Sequence, residues 1–259
     1  MGVAAQQMLQ AGRVPIIMTS TRIPDEVHDR CAHCIGREHS ICSAIDDCDL
    51  AILASESSKM TVPDGRSFIE EGEPAHDFFV VTGGRVKLFT LLPDGRRQIT
   101  GFAEGGDFLG LAASTSYAFG AEALGTAVLC RFPHASMQRL TSRFPNLEHR
   151  LRQEASRELT LMQARMTLLG RKTARERLAT FLMERARLLS APVPEPHAPI
   201  ELDLPMPRTD IADYLGLTIE TVSRVLSAFK REGLISIRGI THITIMQPDR
   251  IAIIAEGLE

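Results

Sequence analysis

Residues 207–245 read PRTDIADYLGLTIETVSRVLSAFKREGLISIRGITHITI, and their punctuation decides the fold. Ile211, Ala212 and Leu215 share one face of a short helix that starts near Arg208 or Thr209. Gly216 ends it, since glycine enters the left-handed turn region without Cβ strain. Thr218 is the expected N-cap of the next helix, its hydroxyl accepting from a free backbone N–H. That helix buries Val222, Leu226 and Phe229 and stops before Gly233. Leu234 to Ile245 then alternates around a turn at Gly239. Helix, glycine turn, helix and hairpin make a winged helix-turn-helix.

The start of the second helix supplies chemistry. Glu220, Ser223 and Arg224 project together by their three- and four-residue spacing, with Thr218 and Thr221 beside them. In a major groove, arginine grips guanine O6 and N7, glutamate accepts from cytosine N4, and serine adapts. A solvated Glu–Arg pair needs no DNA, but the whole bihelical unit with its wing points to DNA reading. Global charge does not advertise it. The chain carries 29 basic and 32 acidic residues, net –3. Local geometry, not a basic surface, carries the reading.

Working outward, residues 59–134 have β texture, with short apolar runs between glycine-bearing turns. The clearest hairpin joins Arg85–Leu92 to Arg97–Phe102 through Pro93-Asp-Gly-Arg. Such strands suggest a barrel or jelly roll. Residues 146–169 lack glycine and proline and place Leu147, Leu151, Ala155, Leu159, Met162, Met166 and Leu169 on one helical stripe. The stripe fits either packing on its own domain or a parallel homodimer seam. A second helix, Thr173–Leu189, is expected after a break near Gly170, and the proline-dense 191–207 reads as loop or extended chain. The expected class is α+β: a sensor domain over 1–135, a dimerisation helix within 136–170, and a DNA-binding domain over 171–259.

Length and composition, 259 residues with 44% hydrophobic and 24% charged, fit a folded chain of about two domains. No apolar run approaches the roughly 20 residues of a membrane span, and no secretory core is visible, so the expected compartment is the cytoplasm. No phosphate-binding loop, dinucleotide glycine motif or Gly-x-Ser-x-Gly is present, so an enzyme is not expected. Five cysteines in a reducing compartment read as metal ligands, reactive thiols or core. Cys31-x-x-Cys34, seven residues and Cys42 form one compact set, with Cys48 nearby and Cys130 at the end of an apolar strand. An iron–sulfur cluster takes four thiolates, so its fourth ligand must come from elsewhere. Zinc would accept Cys31, Cys34, His39 and Cys42. The residues themselves leave both open.

Ile211-Ala-Asp-Tyr-Leu-Gly-Leu-Thr-Ile-Glu-Thr-Val-Ser-Arg resembles the signature of the CRP/FNR superfamily of bacterial transcription regulators. Its Glu-x-x-Ser-Arg resembles the FNR group, and the resemblance covers nearly the whole chain. It implies a β-roll (jelly-roll-like) sensor, a long dimerisation helix and the winged helix-turn-helix. It also implies a homodimer reading an inverted repeat like TTGAT-N4-ATCAA through Glu220, Ser223 and Arg224. The cysteine spacing, with Gln98-Ile-Thr-Gly-Phe, Gly106-Asp-Phe-Leu-Gly and Phe144-Pro-Asn-Leu, is similar to the oxygen-responsive FnrN/AadR-type subgroup.

From that resemblance Cys31, Cys34, Cys42 and Cys130 would hold a 4Fe–4S cluster when oxygen is absent, tying down a loop with no core of its own. Cys48 would be a spare buried thiol, and Ile41 a partial shield. The Pro93–Arg97 hairpin would touch RNA polymerase. The implied function is anaerobic transcription regulation by an activator; a zinc- or redox-responsive regulator is the alternative. A cyclic nucleotide is more distant. Family members that bind one hold its phosphate with an arginine, and none lies between Arg97 and Arg131.

Overall fold

The computed structural model describes residues 31–111, 115–188, 198–239 and 241–259. Readings that fall on 1–30 and 189–197 lie outside the described residues. The N-terminal half is a β-roll of six antiparallel strands: β1 (Ser58–Val62), β2 (Ser67–Ile69), β3 (Asp77–Leu91), β4 (Arg97–Ala103), β5 (Phe108–Leu109) and β6 (Gly120–Pro133). The main order is β1-β6-β3-β4, with β2 added to β6 and β5 to β3. The long strands β3 and β6 bend where their register shifts around Gly83 and Gly84. At Gly84 φ is +73°, and a Cβ would lie 2.3 Å from the Thr126 carbonyl oxygen, so this approach of two backbones requires glycine.

β3 and β6 are apolar on both faces because both faces are covered. Phe79, Val81, Ala127 and Leu129 point into the β-roll core. Val80, Cys130 and Phe132 point the other way, under the cysteine-bearing segment. That segment has two short 3₁₀ turns (Ile41–Ala44 and Asp47–Asp49) and a helix α1 (Leu50–Ser55). Its core comes from Ile41, Ile45, Leu50 and Leu53, packed on Phe132, Met137, Leu140 and Leu147. The loop expected to lack a core therefore has one, and Ile41, which could be a partial shield or ordinary loop packing, is fully buried in it. Cys48, expected in the interior, is exposed.

A helix not foreseen, α2 (His134–Arg143), follows β6 directly, and α3 (Pro145–Arg171) continues from it. Proline at the first position suits a helix start, where its missing N–H has no partner to lose. At 27 residues α3 is about 40 Å long. It ends at Arg171, one residue past Gly170, so the break expected near that glycine is present. The stop comes at Lys172–Thr173, where Thr173 turns extended and forms a capping box with Glu176 to open α4 (Ala174–Arg187).

The C-terminal unit holds α5 (Arg208–Leu215), α6 (Ile219–Arg231) and α7 (Pro248–Glu256) with the sheet β7-β9-β8, where β7 is Ile200–Asp203, β8 Ile235–Arg238 and β9 His242–Ile245. β7 lies inside the stretch read as loop or extended chain. Its pairing with β9, Leu202 opposite Ile243, supplies the order that its prolines hid.

Candidate nucleic-acid interface and thiol site

α5 ends at Gly216 with φ +60°, and α6 opens at Thr218, whose Oγ1 accepts from the Thr221 backbone N–H at 3.3 Å. Val222, Leu226 and Phe229 anchor α6 in the core, as their spacing requires. The opposite face leaves Glu220 and Arg224 exposed, with Thr221 and Ser223 half-exposed. Arg224 Nη2 donates to Thr221 Oγ1 at 3.1 Å. The Glu220 carboxyl is held below its ordinary range, first by its own backbone N–H at the helix start, then by the Thr218 hydroxyl and by Arg224. It stays an acceptor, as a contact to cytosine N4 demands.

Sequence reasoning missed Arg208 in this site. From the first turn of α5 its Nη1 donates to Ser223 Oγ at 3.4 Å. Arg238 and His242, both exposed, flank the turn at Gly239 and offer a DNA backbone a further cation and a ring N–H donor. Their place on either side of a glycine turn was the signal available.

The thiols gather around Cys42. Its pKa is pushed up to about 12, first by burial and further by the proximity of Cys130, Cys31 and Cys34. Cys31, Cys34 and Cys42 belong to the loop, while Cys130 is on β6, paired in register with Lys59 and Val80. The loop lies close on the β-roll. A Cβ on Gly36 would be 3.2 Å from the Val81 carbonyl, and one on Gly106 would be 3.0 Å from the His39 Cβ. Phe78, Phe108 and Phe132 belong to the same packed cluster as Cys31, Cys42 and Cys130. Cys48 stands apart, its Sγ 3.8 Å from Asp49 Oδ2. His39 is exposed and is not among the groups acting on Cys42.

Among the described residues no three His, Cys, Asp or Glu side chains are closed up into a metal-holding group. The four sulfurs are neighbours, with the central one protonated at neutral pH, and a bound metal would have to displace that proton. Soft thiol donors beside an apolar cluster suit an iron–sulfur cluster chemically.

The stripe on α3 divides in three. Leu151 is half-buried against the cysteine segment, and Leu169 against the C-terminal core. Between them Ala155, Leu159, Met162 and Met166 are exposed, the last three by 59%, 60% and 75%. Residues 155–164 are exposed without a break among the described residues, although Arg157 reaches Asp107 at 3.6 Å.

The β-roll interior is apolar among the described residues, and its buried lysine, Lys87, faces outward onto carboxylates. No cation there offers a cyclic nucleotide phosphate a partner.

Comparison with known proteins agrees with both halves. Residues 59–144 match the family described as the cyclic nucleotide-binding domain, and residues 176–253 the Crp-like helix-turn-helix domain. The chain is 39% identical over 228 residues to the nitrogen fixation regulation protein FixK of Bradyrhizobium diazoefficiens, covering 87% of this chain and 93% of that protein. It is 38% identical over 212 residues to the transcriptional activatory protein AadR of Rhodopseudomonas palustris, covering 80% and 86%. The solved structure of FixK2 from Bradyrhizobium japonicum is similar with a TM-score of 0.69 at 35% identity, over 76% of this chain and 96% of that one. No helix of the described residues is long and apolar enough to cross a membrane.

Proposed function

The chain belongs to the CRP/FNR superfamily of DNA-binding transcription regulators and is not an enzyme, and on that premise we propose that it is a cytoplasmic, oxygen-responsive activator that acts as a homodimer on an FNR-like inverted repeat. The observation that carries this reading is the gathering of Cys130 with Cys31, Cys34 and Cys42, although 88 residues separate Cys42 from Cys130 in sequence. When bound, a 4Fe–4S cluster supplies four iron–thiolate bonds that oxygen attacks. The chain's own residues do the rest. Cys130 sits on the strand that leads straight into α2 and α3. Ile41, beside Cys42, packs in one cluster with Leu147 and Leu151 of α3. A shift of the thiols therefore moves the base of the helix whose exposed stripe would meet a second copy. The activating sign is supported by AadR, which bears that description. Leu91 and Leu92, exposed at the β3–β4 hairpin, offer RNA polymerase a contact.

The test is anaerobic reconstitution with iron and sulfide, followed by a gel shift on TTGAT-N4-ATCAA. The expected result is about four irons and four sulfides per chain, with operator binding that falls on exposure to air. A protein that takes up zinc alone, or no metal, would leave a zinc- or thiol-responsive regulator in place of this reading.

A further inference from the structure

The start of α6 carries a hydrogen-bond chain between its two charged readers. Arg224 Nη2 donates to Thr221 Oγ1 at 3.1 Å, and Thr221 Oγ1 lies 3.2 Å from Thr218 Oγ1. The Thr218 hydroxyl in turn bonds the Glu220 carboxyl. Chemistry fixes the direction of every link. A guanidinium only donates, so Thr221 Oγ1 accepts from Arg224. A carboxylate only accepts, so the single hydroxyl proton of Thr218 goes to Glu220. Thr218 has none left for Thr221 and must accept from it. Its other lone pair takes the Thr221 backbone N–H at 3.3 Å. The order is therefore Arg224 to Thr221 to Thr218 to Glu220, with a cation at one end and an anion at the other.

Capping alone does not ask for this arrangement. α4 opens with Thr173 at its N-cap and Glu176 three residues on, in a reciprocal capping box. α6 has a threonine N-cap too, but its third helical position is Thr221, a hydroxyl where α4 has a carboxylate. That hydroxyl ties Arg224 to the cap residue. The bond takes one of the five N–H groups of Arg224 and leaves four for guanine O6 and N7. Thr221 is half-exposed. With its proton committed to Thr218, it has none to offer a phosphate while the chain stands. An untethered arginine loses rotamer freedom when DNA orders it, and one already held loses less. Ser223 stands outside the chain, bonded to Arg208 at 3.4 Å.

We propose that Thr221 is a positioning residue for base reading: through the hydroxyl chain it holds Arg224 and Glu220 in one arrangement before DNA arrives, and so sets how sharply α6 discriminates its guanine. The proposal rests on base reading by Glu220 and Arg224, as in the function proposed above, and not on the thiols.

The experiment compares the full chain, prepared without air, with Thr221→Val, which keeps the shape and loses the hydroxyl, and Thr221→Ser, which keeps the hydroxyl. The wild type first selects sites from duplexes of random sequence, so that no operator is assumed. Every single-base variant of the selected site is then competed against each protein. At the guanine that Arg224→Ala relaxes, Thr221→Val should discriminate about fivefold less than wild type, and Thr221→Ser should restore it. In an Arg224→Ala background, Thr221→Val should change nothing further at that guanine, since Thr221 acts through Arg224. Without DNA, NMR relaxation should show the Arg224 guanidinium more mobile in Thr221→Val than in wild type or Thr221→Ser. Should Thr221→Val not fold, Thr221→Ala, which also lacks the hydroxyl, takes its place. Equal guanidinium mobility or undiminished guanine discrimination overturns the proposal. An equal loss at every base position overturns it too, and makes Thr221 a phosphate contact. A selected site unlike TTGAT-N4-ATCAA removes only the operator of the earlier reading, whereas a chain that selects no site overturns both.

Discussion

Cys42 keeps its proton far into alkaline solution because burial and three neighbouring sulfurs disfavour its thiolate. Its pKa rises from 9.0 to about 12 on folding. Between those values the unfolded chain has lost the proton and the folded chain has not. The metal-free, reduced protein therefore loses stability as pH rises through that window. Urea melts at pH 8 and pH 10 should show this loss in wild type and a smaller one in Cys42→Ala. Equal losses would mean that another group titrates. Position also separates Cys130 from Cys48: Cys130→Ala should abolish iron loading, whereas exposed Cys48→Ala should leave it intact, with iron per chain as the readout. At the interface, Arg224→Ala should lower discrimination at one guanine by about 1–3 kcal/mol, read by competition between single-base operator variants. A uniform loss across all variants would make Arg224 a phosphate contact instead.

Elements show where a pattern in sequence is enough and where it fails. The α6 face was readable because Thr218, Val222, Leu226, Phe229 and Gly233 each do a local job: cap, core or stop. Thr218→Ala should cost about 1 kcal/mol, seen as a lower thermal midpoint. β7 was readable only as loop or extended chain, since its pairing comes from β9, some forty residues on. The break near Gly170 was legible, and the capping box of the following helix fixes it at Lys172–Thr173. The α3 stripe was legible as apolar, but periodicity could not divide it. Its two ends are used by the two halves of this chain, and the middle is bare. Leu159→Glu should therefore yield a folded monomer by sedimentation, since the side chain is 59% exposed among the described residues; a dimer of unchanged strength would place the seam elsewhere.

In the whole molecule, the β-roll is a plate with two tenants on its outer face. The cysteine segment covers Val80, Cys130 and Phe132, and the DNA-reading unit covers Lys87, Phe89 and Ile99. The thiols and α5 thus rest on one sheet. The order of elements, the bihelical unit with its wing, and the candidate thiols and base readers follow from local chemistry: glycine φ, caps, alternation and the spacing of like side chains. Three features do not. Ile41 is core, Cys130 joins the N-terminal thiols, and Lys87 meets Asp210 across 123 residues. Each depends on which surfaces of separate elements come to face one another. That choice minimises exposed apolar area and unpaired charge over the folded chain, and no window of sequence contains it.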